Sequence, residues 1–188
     1  MTRRAGRHFL NIPGPTNVPD RILRAIDRAV IDHRSAEFGQ LALGLFAATR
    51  KIFKTKGPVA IFPSSGTGAW EAAMVNTLSP GDTVLMYEVG QFAMLWVDMA
   101  KKLGLEVELI ASDWRTGVNP DKIEERLRAD KARAIKAVCM VHNETSTGIT
   151  SNVARVRRAI DRAQHPALLI VDTISSLASI DYRHDEWG

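Results

Sequence analysis

The sequence predicts an α/β fold in which a mostly parallel sheet has helices on both faces. After residue 58, short apolar runs alternate with stretches of helical periodicity. The apolar runs are continuous, as strands buried on both faces of a sheet require. The helical stretches provide the long crossover connections of parallel strands. We therefore predict a large α/β domain over residues 19–188 and an extended arm over residues 1–18.

The amino-terminal segment is predicted to be extended, because three prolines and a glycine within residues 7–19 exclude a helix there. A first helix is expected to begin near Pro19, with Asn17 as its N-cap and an apolar face that extends to Val30. A second helix is expected over residues 35–54, where apolar residues recur at helical spacing.

The rest of the chain is predicted to alternate between strands and helices. Strands are expected at 59–62, 84–87, 107–110, 135–141 and 168–171, and helices at 67–78, 91–103, 120–129 and 153–164. In an open sheet of this kind, ligands bind beyond the carboxyl ends of the strands. The residues that follow each strand are therefore the candidates for a functional site.

Composition is that of a globular domain, with 45% hydrophobic and 24% charged residues in 188. The net charge is +4, and the arginines alternate with acidic residues, so we expect no nucleic-acid partner. A lone cysteine, Cys139, cannot form an internal disulfide and is typical of a reducing compartment. We find no secretory signal and no apolar run long enough to span a membrane, so a cytoplasmic location is expected.

The segment PSSGTGAWE after the first predicted strand has the features of a phosphate-binding turn. Small residues let backbone amides approach an anion, and the helix that begins here adds its positive dipole end. Ser65 and Thr67 flank Gly66 and add hydroxyl donors. The same residues also fit a tight strand-to-helix turn that binds nothing.

A dinucleotide-binding turn is the main rival for this segment. Gly66 and Gly68 follow a predicted strand, and Glu88 lies about twenty residues further on, as in the NAD fingerprint. The position of the third glycine, however, holds Glu71. A bulky charged side chain there opposes close packing of the helix on the strand and counts against NAD.

An aspartate, Asp172, ends the last apolar run, ALLIVD. Burial of a carboxylate at that point is costly unless the carboxylate meets a cation or hydrogen-bond donors. It could hold the protonated ring nitrogen of a cofactor, or it could cap the next turn through Thr173 or Ser175. Its expected place on the same sheet edge as the phosphate turn favours the cofactor.

Three weaker candidates follow other predicted elements. In the polar segment HNETSTG, Thr145 or Ser146 could donate a hydrogen bond to a ligand, although such loops often satisfy their own backbone. Phe92 could stack on a flat ring or belong to the core. His33 and Arg34, between the first two helices, could serve a neighbouring subunit's site. No His, Cys or Asp set has the spacing of metal ligands.

Taken together, these segments resemble the class V aminotransferases, which depend on pyridoxal 5'-phosphate, and most closely those of the serine–glyoxylate and alanine–glyoxylate type. The matching segments, in chain order, are PGPTNVP, DHR, SSGTGAWEA, LSPGD, GQF, SDW, VHNETSTG, ALLIVDTISS and DEWG. The resemblance implies the large domain of a fold type I enzyme. It also implies a homo-oligomer, a dimer or tetramer.

The resemblance assigns roles to individual residues. It implies that Ser65, Gly66 and Thr67 hold the cofactor phosphate. Asp172 would face the pyridine nitrogen, and Ser146 or Thr145 would lie near the phenolic oxygen. Phe92, with Val89 as competitor, would contact one face of the ring and Ile174 the other. His33 and Arg34 match positions that approach the partner subunit's site. Pro13 and Gly14 belong to the arm that lies over the dimer in this family.

One family feature is missing. The cofactor lysine of these enzymes lies about twenty-five residues beyond the aspartate and forms a Schiff base. Sixteen residues follow Asp172 here, and none is a lysine. The sequence is therefore expected to stop before the lysine and the carboxyl-terminal small domain, and to be inactive alone.

The expected activity of the intact enzyme is the transfer of an amino group from serine or alanine to glyoxylate, which gives glycine. A non-catalytic fragment, or a module that dimerises with an intact homologue, is the first alternative. An NAD-binding oxidoreductase domain and another class V enzyme, a desulfurase or lyase, are the others.

Overall fold

A computed structural model describes residues 6, 9–12 and 14–188. The chain forms two compact units, residues 1–45 and 46–188. The helices of the described residues are α1 (Asp20–Ile26), α2 (Ala36–Phe53), α3 (Gly66–Thr77), α4 (Gln91–Lys102), α5 (Pro120–Ala129), α6 (Val153–Arg162) and α7 (His184–Trp187). The strands are β1 (Thr83–Tyr87), β2 (Glu106–Ile110), β3 (Ile135–Val141), β4 (Asn143–Glu144), β5 (Ile149–Thr150) and β6 (Leu168–Asp172).

The first unit contains the arm, α1 and the start of α2. Where the arm is described, it has no helix or strand, as its prolines predict. The predicted cap of α1 is wrong, because Pro19 occupies the N-cap position and Asn17 Oδ1 instead accepts a hydrogen bond from Leu10 N at 2.7 Å. The predicted apolar face is also too long: α1 ends at Ile26, and Val30 is fully exposed.

The second unit is built on a four-stranded sheet in which every pair is parallel, in the order β2-β1-β3-β6. The chain leaves β1 towards β2 on one side and returns to place β3 on the other side. Loops that follow β1 and β3 therefore diverge, which opens a crevice at the carboxyl ends of these two strands. The predicted mostly parallel sheet flanked by helices is confirmed.

The core lies at the two central strands and the helices that pack on them. Residues of β1 and β3, such as Leu85 and Val138, are completely buried, which explains their continuous apolar sequence. Helices α5 and α6 begin at the asparagine N-caps Asn119 and Asn152, whose side chains accept backbone N–H groups at 2.9 Å. Each helix buries one apolar face, as its sequence period predicts.

The strand predicted at residues 59–62 is wrong. This segment has no helix or strand, and Ile61 and Phe62 are 59% and 57% exposed. An apolar run becomes a strand only when a neighbour completes its hydrogen-bond ladder, and no strand among the described residues pairs with it. Conversely, the short antiparallel pair β4–β5 was not expected, because four residues give no readable period.

Cys139 lies in the buried centre of β3, and burial raises the pKa of its thiol to about 12. Since the thiolate is the reactive form, this cysteine has a structural position and is chemically inert in the folded chain. Every helix in the described part of the chain is too short or too polar to span a bilayer.

Truncation of a core valine tests the packing of α6 on the sheet. We expect Val156→Ala to lower the free energy of unfolding by about 2 kcal/mol, since Val156 is fully buried and the truncation leaves a cavity. Val75→Ala in α3 is the matched control, because Val75 is 53% exposed and the change in helix propensity is the same. Urea unfolding followed by circular dichroism measures the difference, and equal values would contradict this packing.

Candidate functional site

The residues that follow β3 and β6 meet at the carboxyl edge of the sheet. Val141 and Asp172 are register partners at the ends of these strands, and His142 N donates to the Asp172 carbonyl at 2.9 Å. Parallel pairing thus places the segment after β3 directly beside Asp172. The helix α3 packs against β6 and brings its own residues to the same place.

Asp172 is a buried carboxylate, 6% exposed. Its Oδ2 accepts a hydrogen bond from Trp70 Nε1 at 2.8 Å, and its Oδ1 accepts one from Ile174 N at 2.8 Å. Burial raises the pKa of Asp172; the two hydrogen bonds oppose this, and the charge of Glu144 adds to it. No cation among the described residues lowers the pKa, so the site is suited to a cationic N–H group.

Trp70 is a site residue that the sequence analysis missed. It is the fifth residue of α3, one turn after Gly66, so it lies on the same helix face as the phosphate turn. Its ring is buried and stacks on Trp96 at 5.4 Å between ring centroids, with 8° between the planes. The spacing from Gly66 could have identified it, but nothing in the sequence indicated its bond to Asp172.

The start of α3 offers backbone donors. Ser65 occupies the N-cap position, and within the described part of the chain its side chain makes no capping hydrogen bond. The first amides of a helix have no partner inside the helix, so those of Gly66 and Thr67 are open to an anion. The turn is tightly packed: a Cβ atom on Gly68 would lie 2.1 Å from Ser64 Oγ.

One cavity joins the two ends of the candidate site. It has a volume of about 330 Å³, and its lining includes Gly66, Trp70, Asp172, Thr173 and Ile174. A Cβ atom on Gly66 would lie 3.4 Å from the Ile174 side chain, which shows how closely α3 approaches the segment after β6. Gly66, at the start of α3, and Asp172 therefore line the same cavity.

Ser146 is engaged differently from the expected role at a cofactor oxygen. Its Oγ donates to Glu144 Oε1 at 2.7 Å and accepts from Gln91 N at 2.9 Å. A serine hydroxyl has one proton, and here that proton points to Glu144. The other predicted candidate, Thr145, makes no side-chain hydrogen bond to the described residues.

The aromatic candidate lies on the other side of the crevice. Phe92 is the second residue of α4 and is partly buried. Its competitor, Val89, is completely buried in the core, and Phe92 packs against that core. Ile174 is 66% exposed beside Gly66, in a position to contact a ligand.

The remaining predicted residues lie in the first unit. His33 and Arg34 are exposed, and Arg34 N donates to Asp32 Oδ1 at 2.9 Å in the turn before α2. Gly14 is exposed with φ +101°, a conformation that favours glycine, and Pro13 lies outside the described residues. In the described ranges, no group of three or more His, Cys, Asp or Glu residues could hold a metal ion.

Removal of the Trp70 donor tests its bond to Asp172. We expect Trp70→Phe to lower the free energy of unfolding by about 2 kcal/mol more than Trp96→Phe, because it leaves Asp172 Oδ2 buried without a donor. Trp96→Phe is the control, since Trp96 Nε1 has no hydrogen-bond partner among the described residues. Carboxyl ¹³C NMR should also show a higher pKa for Asp172 in Trp70→Phe alone.

His142 predicts a pH dependence of stability. It is 3% exposed, its Nδ1 has no hydrogen-bond partner among the described residues, and burial lowers its pKa. Below about pH 6.5 the unfolded chain therefore binds a proton that the folded chain does not, and stability falls as the pH falls.

Urea unfolding between pH 7 and pH 5 measures this effect. The parent chain should lose up to about 1.4 kcal/mol per pH unit more than His142→Gln. If both chains show the same pH slope, His142 does not titrate on unfolding.

Known relatives share these segments. The chain matches the family described as aminotransferase class-V over residues 8–188. It is 55% identical over 187 residues to the serine–glyoxylate aminotransferase of Methylorubrum extorquens, and the aligned region covers 99% of this chain and 46% of that protein. It is 49% identical over 178 residues to the L-aspartate–glyoxylate aminotransferase of Paracoccus denitrificans, and the aligned region covers 94% of this chain and 45% of that protein.

A solved structure agrees with the sequence relatives. The alanine–glyoxylate aminotransferase of Nostoc sp. superposes with a TM-score of 0.84 at 29% identity, over 98% of this chain and 50% of that one. The chain thus spans about half the length of the relatives it matches. The expected resemblance is confirmed, since the family match extends over nearly all of the sequence: this chain belongs to the class V aminotransferase family.

Proposed function

We propose that the whole protein is a pyridoxal-phosphate-dependent aminotransferase and that this chain binds the cofactor. The cavity shared by Gly66 and Asp172 supports this more than any other observation. At one end, free helix amides are suited to a phosphate. At the other, a buried carboxylate without a cation among the described residues is suited to a protonated ring nitrogen. One phosphorylated pyridine would satisfy both ends.

The proposed roles follow the family resemblance, and the cavity that Gly66, Asp172 and Ile174 line supports them. Ser65, Gly66 and Thr67 would bind the phosphate, Asp172 the pyridine nitrogen and Thr145 the phenolic oxygen, while Phe92 and Ile174 would contact the ring faces. When bound, the cofactor supplies an electron-withdrawing ring that makes the Cα proton of an amino acid removable. Asp172 would keep that ring protonated, and Trp70 would hold the carboxylate in place.

Glyoxylate is the proposed amino acceptor. The three relatives described above are each named for a glyoxylate reaction, although their names give different donors. Serine is the donor we propose, because the relative with 55% identity is a serine–glyoxylate enzyme. The product from glyoxylate would then be glycine.

The 188 residues alone are proposed to bind the cofactor without a covalent bond and without turnover. Within these 188 residues no lysine follows Asp172, and none is among the residues that line the cavity in the described structure. Residues 19–188 would form the cofactor-binding large domain. We further propose a homo-oligomer in which the arm with Gly14, together with His33 and Arg34, approaches a partner subunit's site.

Cofactor binding by this chain tests the proposal directly. Pyridoxal 5'-phosphate should quench the fluorescence of Trp70 and Trp96, since Trp70 and Trp96 line the cavity. Asp172→Asn should weaken binding by about 10- to 100-fold, because it replaces a charge-assisted hydrogen bond by a neutral one. Asp98→Asn, at an exposed position of α4, is the matched control and should bind like the parent.

The outcome separates the proposal from its alternatives. Equal affinities of parent and Asp172→Asn would remove the assigned role of Asp172. Absence of binding by the parent would favour a non-catalytic module. Glycine formation by the whole protein from glyoxylate, with serine, alanine and L-aspartate compared as donors, distinguishes an aminotransferase from a desulfurase or lyase.

A further inference from the structure

Glu144 makes an unusual set of contacts next to the proposed site. It lies in β4, is completely buried, and its carboxylate accepts four hydrogen bonds. The donors are Phe92 N at 3.3 Å, Ala93 N at 3.1 Å, Ser146 N at 3.0 Å and Ser146 Oγ at 2.7 Å. We call these contacts the Glu144 bridge. The bonds from Phe92 N and Ala93 N connect the start of α4, which follows β1, to the segment that follows β3. The two bonds from Ser146 lie within that second segment.

The Glu144 bridge caps α4 from a distant part of the chain. The N-cap position of α4 is Gly90, which has no side chain to accept the first amides of the helix. Helices α5 and α6 are capped locally, by Asn119 and Asn152. For α4 the acceptor comes from 51 and 52 residues further along the chain, and its negative charge also suits the positive end of the helix dipole.

Close packing makes this arrangement specific. A Cβ atom on Gly90 would lie 2.4 Å from Glu144 Cγ and 2.6 Å from Ser146 Oγ. Any other residue at position 90 would therefore push the two segments apart. Gly90 cannot cap α4 with a side chain, but the absence of a side chain lets Glu144 and Ser146 approach the start of α4 closely.

We propose that Glu144 is a positioning residue of the cofactor site: its carboxylate fixes Phe92 and the Thr145–Ser146 segment at one separation, so that an aromatic ring and a hydroxyl face the same ligand. The inference rests on the proposed function, because these groups matter only if the ring of pyridoxal 5'-phosphate lies between them. Burial of a carboxylate is costly, and it is tolerated here because all four donors converge on it.

Hydrogen exchange tests the bridge without the cofactor. In Glu144→Ala, the amides of Phe92, Ala93 and Ser146 should exchange about tenfold faster or more, because their acceptor is gone. Glu144→Gln keeps Oε1, the acceptor for Phe92 and Ser146, but turns an NH₂ group towards Ala93 N. In Glu144→Gln, therefore, the Ala93 amide alone should exchange faster. A general loss of stability would instead accelerate exchange at all three amides.

Cofactor binding tests the positioning role. Glu144→Ala should bind pyridoxal 5'-phosphate about tenfold more weakly than the parent and should change the induced circular dichroism of the bound ring, which reports its orientation. Asn119→Ala is the matched control. The Asn119 side chain caps α5 by accepting a hydrogen bond from Asp121 N at 2.9 Å, and the substitution removes that cap. It should lower the stability of the chain, because α5 loses its N-cap, and leave the cofactor signal unchanged.

Each result has one interpretation. A parent chain that binds the cofactor, with equal affinity and dichroism in Glu144→Ala, overturns the positioning role and leaves the proposed function intact. A parent chain that does not bind overturns the proposed function, while the exchange pattern still decides whether the bridge exists. Uniform acceleration of exchange throughout the sheet in Glu144→Gln would show a general structural role and would also overturn the inference.

Discussion

The burial of the Asp172 carboxylate at the end of β6 is the constraint on which the rest of the site depends. A charge removed from water must be compensated, and here an indole N–H and a backbone N–H do so only in part. The indole of Trp70 ties α3 to the end of β6, so the amides at the start of α3 and the carboxylate face the same cavity. Burial therefore still raises the pKa of Asp172.

A second buried carboxylate, that of Glu144, connects two segments at the crevice between β1 and β3. In the strand order β2-β1-β3-β6, the chain turns to one side of the sheet after β1 and to the other side after β3. Strand pairing therefore does not fix the distance between the two segments that follow these strands. Glu144 connects them through the hydrogen bonds that it accepts from Phe92 N and Ala93 N, and Ser146 in its own segment donates two more to the same carboxylate. The negative charge of Glu144 also contributes to the raised pKa of Asp172, so the two acids are electrostatically linked as well.

Sequence patterns predicted the elements that depend on local rules. The helix at 120–129 and the strand at 135–141 have their expected ends, because Asn119 and Pro120 begin the helix and a continuous apolar run defines the strand. Residues 59–62 have an equally apolar sequence, but they form no strand, since a strand needs a partner that its own sequence does not specify. Ser146 was chosen by residue type, and the bond to Glu144 gives its proton another acceptor.

The sequence by itself determined the fold class, the family resemblance and the two chemical ends of the candidate site at Ser65–Thr67 and Asp172. The fold class follows from periodicity, and the resemblance follows from the motifs that match the family in order. The turn at Ser65–Thr67 follows from its composition and Asp172 from its position after a strand, and each of these patterns is local in the sequence. The tertiary structure decided that Trp70 binds Asp172 and that Glu144 joins α4 to the segment after β3. Those contacts connect residues 102 and 51 positions apart. Only the register and order of the strands bring such residues within hydrogen-bond distance.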